Sequence, residues 1–190
     1  RSNNATTGGA AFVASGRTGG GNALSFDGVN DMATGADSNS LDLASTFTLE
    51  AWVNPANSTG WRTVLLKEAG AQMAYELYSN DATANRPAGH FTTPGGGIRS
   101  ATGTATLPVN TWSHIAVTYD GANMRVYVNG ALVRTVARTG AVRASDGVLH
   151  LGGNVVWGGE FFQGLMDDVR IYNRALSGGE ITTDMNTTLP

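Results

Sequence analysis

The chain has no cysteine. Disulfides, thiolate metal sites and cysteine nucleophiles are therefore excluded, and packing and hydrogen bonding must hold the fold together. No apolar run approaches the roughly 20 residues that a membrane span requires, so membrane insertion is not expected. Charge is sparse as well. The net charge is −3 at pH 7 and the basic residues are scattered, which leaves nothing resembling the basic stripe of a nucleic-acid-binding surface. Proline is scarce at five, whereas the 26 glycines are dispersed between apolar runs, a pattern of many turns rather than low complexity. Hydrophobic residues make up 41% of the chain, enough for a real core. With no linker between halves, residues 1–190 read as a single domain.

Alternation of apolar and polar residues recurs in short segments. Ala23 to Phe26, Met32 to Gly35, Thr46 to Val53, Thr63 to Leu66, Tyr75 to Ser79, Ile98 to Ala101 and Thr111 to Tyr119 all read as strands. A polar loop is expected at Asp81 to Pro87, then a short strand around His90 and Phe91. Asn129-Gly130, set between Met124–Val128 and Ala131–Thr135, predicts a hairpin, because a type I′ turn needs positive φ at both central residues. Roughly a dozen short strands without α-crossovers imply an all-β, antiparallel two-sheet sandwich.

The stretch Gly164 to Glu180 is chemically the most pointed. Period-two alternation places Leu165, Asp167, Val169 and Ile171 on one face, and Ser177 with Glu180 three residues later predicts a capping box for a short helix. A carboxylate on an aliphatic face must be neutralised, hydrogen-bonded or bound to a cation, so Asp167 is a misfit to be explained.

Four blocks, ALSFDGVND, FTLEAWVNP, WSHIAVTYDGANMRVYVNGALV and GLMDDVRIYNRALSGGEI, resemble in order the laminin-G-like domains of the concanavalin A-like lectin/glucanase superfamily. The resemblance runs from about Gly20 to Glu180. It implies a jelly roll of two curved sheets, commonly with one structural calcium. It also implies a carbohydrate-binding or adhesion module appended to a larger extracellular protein. A hard cation takes about six to eight oxygen ligands, and Asp27, Gly28, Asn30 and Asp31 offer such oxygens within five residues, with Asp167 and Asp168 offering two more. By the family motif, Asp167 matches a carboxylate ligand and Gly28 a backbone-carbonyl ligand, with the first loop and last strand as neighbours. The alternative is that Asp27 and Asn30 form a turn and Asp167 caps backbone amides.

Catalysis is not expected. The glucan-cutting relatives carry Glu-x-Asp-x-x-Glu on one strand, and Glu50, Glu68, Glu76, Glu160 and Glu180 are isolated from one another in sequence. His90, His114 and His150 show no metal-binding spacing. Trp52 and Trp112 lie in the strongest strands and are expected in the core. Trp61 and Trp157 sit in Gly-flanked, loop-like surroundings and are the candidates to stack on a sugar, joined by Tyr78, Arg86, Arg99 and Phe162 if their loops converge. The expected protein is a monomeric, non-catalytic, lectin-like module, secreted or on a cell surface. The alternatives are a protein-binding, adhesion or spacer domain, and a glycan-cleaving enzyme.

Overall fold

The computed structural model describes residues 5–14, 16–17 and 21–189. Residues 1–4, 15, 18–20 and 190 lie outside the described residues. Among the described residues, fourteen strands form two sheets of seven. In spatial order the first sheet runs β1 (Ala5–Gly8), β4 (Met32–Gly35), β13 (Leu149–Leu151), β6 (Arg62–Ala69), β7 (Gln72–Asp81), β8 (Arg86–Thr92) and β9 (Ile98–Thr102). The second runs β12 (Ala131–Ala137), β11 (Asn123–Val128), β10 (Ser113–Tyr119), β5 (Phe47–Pro55), β14 (Gln163–Tyr172), β3 (Ala23–Asp27) and β2 (Ala11–Val13). All strand pairs are antiparallel, as expected for a chain of short strands without helical crossovers.

Aromatic rings bridge the sheets at the centre of the core. Phe47 of β5 packs edge-on to Phe91 of β8 at 5.9 Å and lies 6.3 Å from Tyr75 of β7, while Phe91 meets Tyr119 of β10 at 4.5 Å. The two tyrosine hydroxyls are not left bare: Tyr75 donates to the Leu41 carbonyl at 2.9 Å and Tyr119 to that of Gly140 at 2.7 Å. A buried hydroxyl without such a partner would destabilise by about 1–3 kcal/mol.

Local chemistry sets the turns as expected. Asn129 and Gly130 adopt φ of 50° and 76°, so the β11–β12 connection is the positive-φ hairpin that Asn-Gly favours. The single α-helix among the described residues, α1 (Gly178–Met185), starts with a full capping box between Ser177 and Glu180. Its Ile181 packs with Leu176 onto Ala116 and Tyr127, so α1 covers the outer face of the second sheet. Trp52 and Trp112 are half-buried rather than core residues. Trp52 points outward from β5 and donates its indole N–H to the Met185 carbonyl at 3.2 Å, because the helix and tail roof that face.

The Asp167 misfit dissolves in a β-bulge. Met166 pairs with Val53 and lies in the core, whereas Ile171, an odd number of positions later, pairs with Leu49 and also packs on the core. Register shifts between Asp167 and Arg170, where Asp168 takes φ 47°. One extra residue flips the strand's parity, so Asp167 shares the outward face of Trp52, not that of Val169 and Ile171.

Candidate functional site

With the second sheet roofed, the first sheet offers the open face. Alternation along β7, β8 and β9 turns Tyr75, Leu77, Phe91 and Ala101 inward to the core and Glu76, Tyr78, His90 and Ser100 outward. These outward side chains floor a pocket of about 480 Å³. Its walls come from Trp61, just before β6, and from Trp157 and Glu160 in the loop entering β14; Asp81, Thr83 and Thr102 close one end. Few convergent polar groups among aromatics in a cleft of a few hundred Å³ is the usual make-up of a small-ligand site.

The aromatic wall is continuous. The Trp61 ring lies 5.0 Å from Tyr78 and 6.0 Å from His90, and Tyr78 lies 5.6 Å from His90. Both Trp61 and Trp157 are half-buried, so part of each indole is open to solvent. The polar floor is tied together below them. The Tyr78 hydroxyl donates to Glu160 Oε2 at 2.7 Å, and Asn154 Nδ2 donates to the same oxygen at 2.7 Å. Burial nonetheless holds the Glu160 carboxyl above its ordinary pKa, those two hydrogen bonds opposing it. Burial, and then the neighbouring Glu76 and Glu160 charges, drive the Tyr78 phenol far upward, so it stays protonated. His90 Nδ1 and Glu76 Oε1 are 2.6 Å apart. Glu76 Oε2 is buried and has no hydrogen-bond partner among the described residues. Asp81 accepts from Thr83, the Ala84 amide and Thr102.

The predicted binding residues divide. Trp61, Trp157 and Tyr78 line this pocket. Arg86 is exposed at the start of β8 and does not line it. Arg99 donates through Nε to the Thr139 carbonyl at 3.1 Å and lines a shallower neighbouring recess. Phe162 is corrected: it is fully buried in the core, edge-on to Phe26 at 6.0 Å, because the Gly-flanked loop has already turned inward by that point. Glu76, His90 and Glu160 were not anticipated as site residues. Glu76 and Glu160, isolated in sequence, are neighbours in one pocket. The clue for Glu76 and His90 was the polar turn after Asp81: a hairpin closing there sets Glu76 opposite His90, as the register has it.

The expected calcium clasp does not assemble from its six residues. Asp27 pairs with Gln163, four positions along β14 from Asp167, which separates the two halves by roughly 13 Å at about 3.3 Å per residue. Each half is also occupied locally. Asp27 Oδ1 accepts from the Val29 and Asn30 amides at 2.8 and 3.3 Å, and Asp31 Oδ2 from the Asp27 amide at 2.8 Å. Gly28 supplies the positive φ, 78°, that this turn needs. Asp167 accepts from the Arg17 and Asp168 amides at 3.1 and 2.8 Å. Asp168 pairs with the Arg17 guanidinium at 3.0 Å and accepts from the Leu189 amide at 2.7 Å. No group of three or more His, Asp or Glu side chains that could hold a metal ion occurs among the described residues. Asp167 and Asp168 thus fasten the segment around Arg17 and the chain end to β14 through hydrogen bonds. A larger recess of about 740 Å³ lies beside them, but its carboxylates are engaged in these contacts.

Two antiparallel sheets of seven strands each, among the described residues, make a β-sandwich consistent with a jelly roll. The chain belongs to the concanavalin A-like lectin/glucanases superfamily, whose Laminin_G_3 family model matches residues 26–182. Among solved structures it is similar to domain 4 of AbnA, an extracellular arabinanase from Geobacillus stearothermophilus, in complex with arabinotriose. That match has a TM-score of 0.74 and 20% identity and covers 96% of this chain and 88% of that one. It is also similar to the binding domain of Paraclostridial Mosquitocidal Protein 1, with a TM-score of 0.75 and 17% identity over 97% of this chain and 48% of that one. The botulinum neurotoxin serotype D ligand binding domain, solved with N-acetylneuraminic acid, matches with a TM-score of 0.72 and 14% identity over 96% of this chain. This chain spans about half the length of the two toxin chains, 48% and 46%. At these identities the likeness is one of fold. No helix among the described residues is long and apolar enough to cross a membrane.

Proposed function

We propose that this domain is a non-catalytic carbohydrate-binding module of a secreted or cell-surface protein, holding a sugar in the pocket on the outer face of β7–β9. The observation that carries this reading is the convergence of Trp61, Trp157 and Tyr78, from three separate parts of the chain, on one pocket with hydroxyl and carboxylate groups beside them. Sugar rings present apolar C–H faces that stack on indoles and hydroxyls that need directed polar partners, and the pocket supplies both. The sugar-bound neighbours named above favour the same reading by analogy of fold.

Glu76 and Glu160 in one pocket raise the alternative of glycoside hydrolysis, which uses a carboxylate pair. Their engagement favours binding: one oxygen of Glu160 already accepts two hydrogen bonds and one of Glu76 is tied to His90. Calcium is no part of this reading. Affinity electrophoresis through a panel of polysaccharides tests it, paired with a reducing-sugar assay on the same panel. Retardation by at least one polysaccharide without reducing-sugar release is the expected result. Release of reducing ends would make the domain an enzyme, and retardation by none would leave the protein-binding or adhesion reading.

A further inference from the structure

The glycan reading leaves open what kind of sugar the pocket takes, and its charge answers that. The titratable side chains lining it are Glu76, Tyr78, Asp81, His90 and Glu160, with no Lys or Arg among the lining residues. Arg99, a binding candidate from the sequence, donates through Nε to the Thr139 carbonyl. An acidic cluster alone would mean little. Here one member is unfinished: Glu76 is almost wholly buried, its Oε1 is bound to His90, and its Oε2 has no partner. The Tyr78 hydroxyl cannot serve it, because its one proton goes to Glu160. A buried carboxylate oxygen without a donor is destabilising, so the site is built for a ligand that brings the donor.

Resting on the carbohydrate reading, we infer that the pocket selects amino sugars whose nitrogen is free and protonated, the ammonium directed to Glu76 on the pocket floor beside the rings of Trp61 and Tyr78. An ammonium has three N–H donors and no acceptor, which matches a floor of acceptors. Its charge is attracted by the carboxylates and by the faces of the surrounding aromatic rings. A uronic or sialic acid would bring a second carboxylate to the same place and be repelled. N-acetylation removes the charge and adds a carbonyl acceptor where acceptors already crowd. Ser100 and Thr102, on β9 beside the floor, remain for ring hydroxyls.

The test is calorimetric titration of the full chain, at mildly acidic pH and at low and high salt, with four oligosaccharides of equal length: glucosamine, N-acetylglucosamine, glucose and galacturonate oligomers. Glucosamine oligomer is expected to bind about tenfold more tightly than the N-acetylated and glucose oligomers, the margin shrinking at high salt, with no binding of galacturonate. Glu76→Gln should erase the margin. Because that residue is buried, Ser100→Lys is the second variant: it sets a competing ammonium at a half-exposed position and should erase the margin too, with an unchanged melting curve. Equal or tighter binding of the N-acetylated, neutral or acidic oligomer, or a margin that survives both substitutions, overturns the amino-sugar inference and leaves the carbohydrate module standing. Failure of every oligomer to bind, in a protein that is also not retarded by any polysaccharide, overturns both.

Discussion

Replacing Trp61 with alanine is expected to weaken glycan binding by roughly 30- to 150-fold while leaving the domain folded. The indole forms the wall against which Tyr78 and His90 are arranged, at 5.0 and 6.0 Å between ring centroids. Removing a central aromatic anchor from a binding site typically removes about 2–3 kcal/mol, which corresponds to that range of affinity. The stability effect is smaller, because Trp61 lies before β6 and is half-buried, outside the cluster of Phe47, Tyr75, Phe91 and Tyr119 that joins the sheets. Titration calorimetry and thermal melting on the same sample separate the two effects. A variant that binds like the parent places the glycan elsewhere.

Stability is expected to fall as pH rises from about 6.5 to 8, and Glu50 is the reason. Glu50 and His114 face outward from the second sheet, sealed beneath α1 and the tail. The Glu50 oxygens stand 3.9 Å from His114 Nε2 and 3.7 Å from Arg170 Nη1, with no hydrogen bond to either. Around them lie Asp168 and Asp184, and Arg17, which sits over the Trp52 ring at 4.7 Å. Burial pushes the Glu50 carboxyl up to about 8, the Asp184 charge adding and Arg170 opposing. Burial likewise pushes His114 down to about 4, aided by the Arg170 and Arg17 charges. Both groups are therefore neutral in the folded protein near pH 6.

The two titrations act in opposite directions. A carboxyl raised from 4.5 to about 8 contributes stability that is complete below 4.5 and is lost as pH rises through 8. An imidazole lowered from 6.5 to about 4 contributes stability present above 6.5 and lost as pH falls through 4. From 4.5 to 6.5 the slopes offset, and above 6.5 that of Glu50 acts alone. The loss between about 6.5 and 8 amounts to roughly 2 kcal/mol, or about 4–8 °C in Tm for a domain of this size. Melting curves across that interval should show the fall, and Glu50→Gln should flatten it. A flat profile in the parent, or an undiminished slope in the variant, contradicts the assignment.

Features governed by adjacent residues were legible in the sequence. Asn129-Gly130 and the Ser177–Glu180 box act within four positions, and the structure has both as the chain pattern implies. Strand alternation was legible until a single residue broke it. Asp168 in the left-handed region shifts the parity of β14, and nothing in GLMDDVRIY distinguishes a bulge from regular strand. Asp167 therefore looked like a buried anomaly and is an outward-facing acceptor for backbone amides. Register set the other limit. The two halves of the expected calcium clasp lie apart because Asp27 meets Gln163 rather than the neighbourhood of Asp167. The aromatic half of the candidate site comprises residues singled out from the sequence, Trp61, Trp157 and Tyr78, since an indole beside a glycine in a loop has less reason to be core. Its carboxylate half was not singled out, because Glu76 and Glu160 meet only through the stacking of a loop over a strand far from it in sequence.

The four tryptophans make a glycan site on the first sheet directly measurable, since Trp61 and Trp157 line the pocket whereas Trp52 and Trp112 belong to the opposite sheet's strands or their approach. The measurement is the ¹H–¹⁵N spectrum of the indole N–H groups during titration with a polysaccharide fragment that retards the protein. Saturable shifts of Trp61 and Trp157, with Trp52 and Trp112 unmoved, are the predicted result. Shifts confined to Trp52 or Trp112, or binding that moves none of the four, would contradict a glycan site on the outer face of the first sheet.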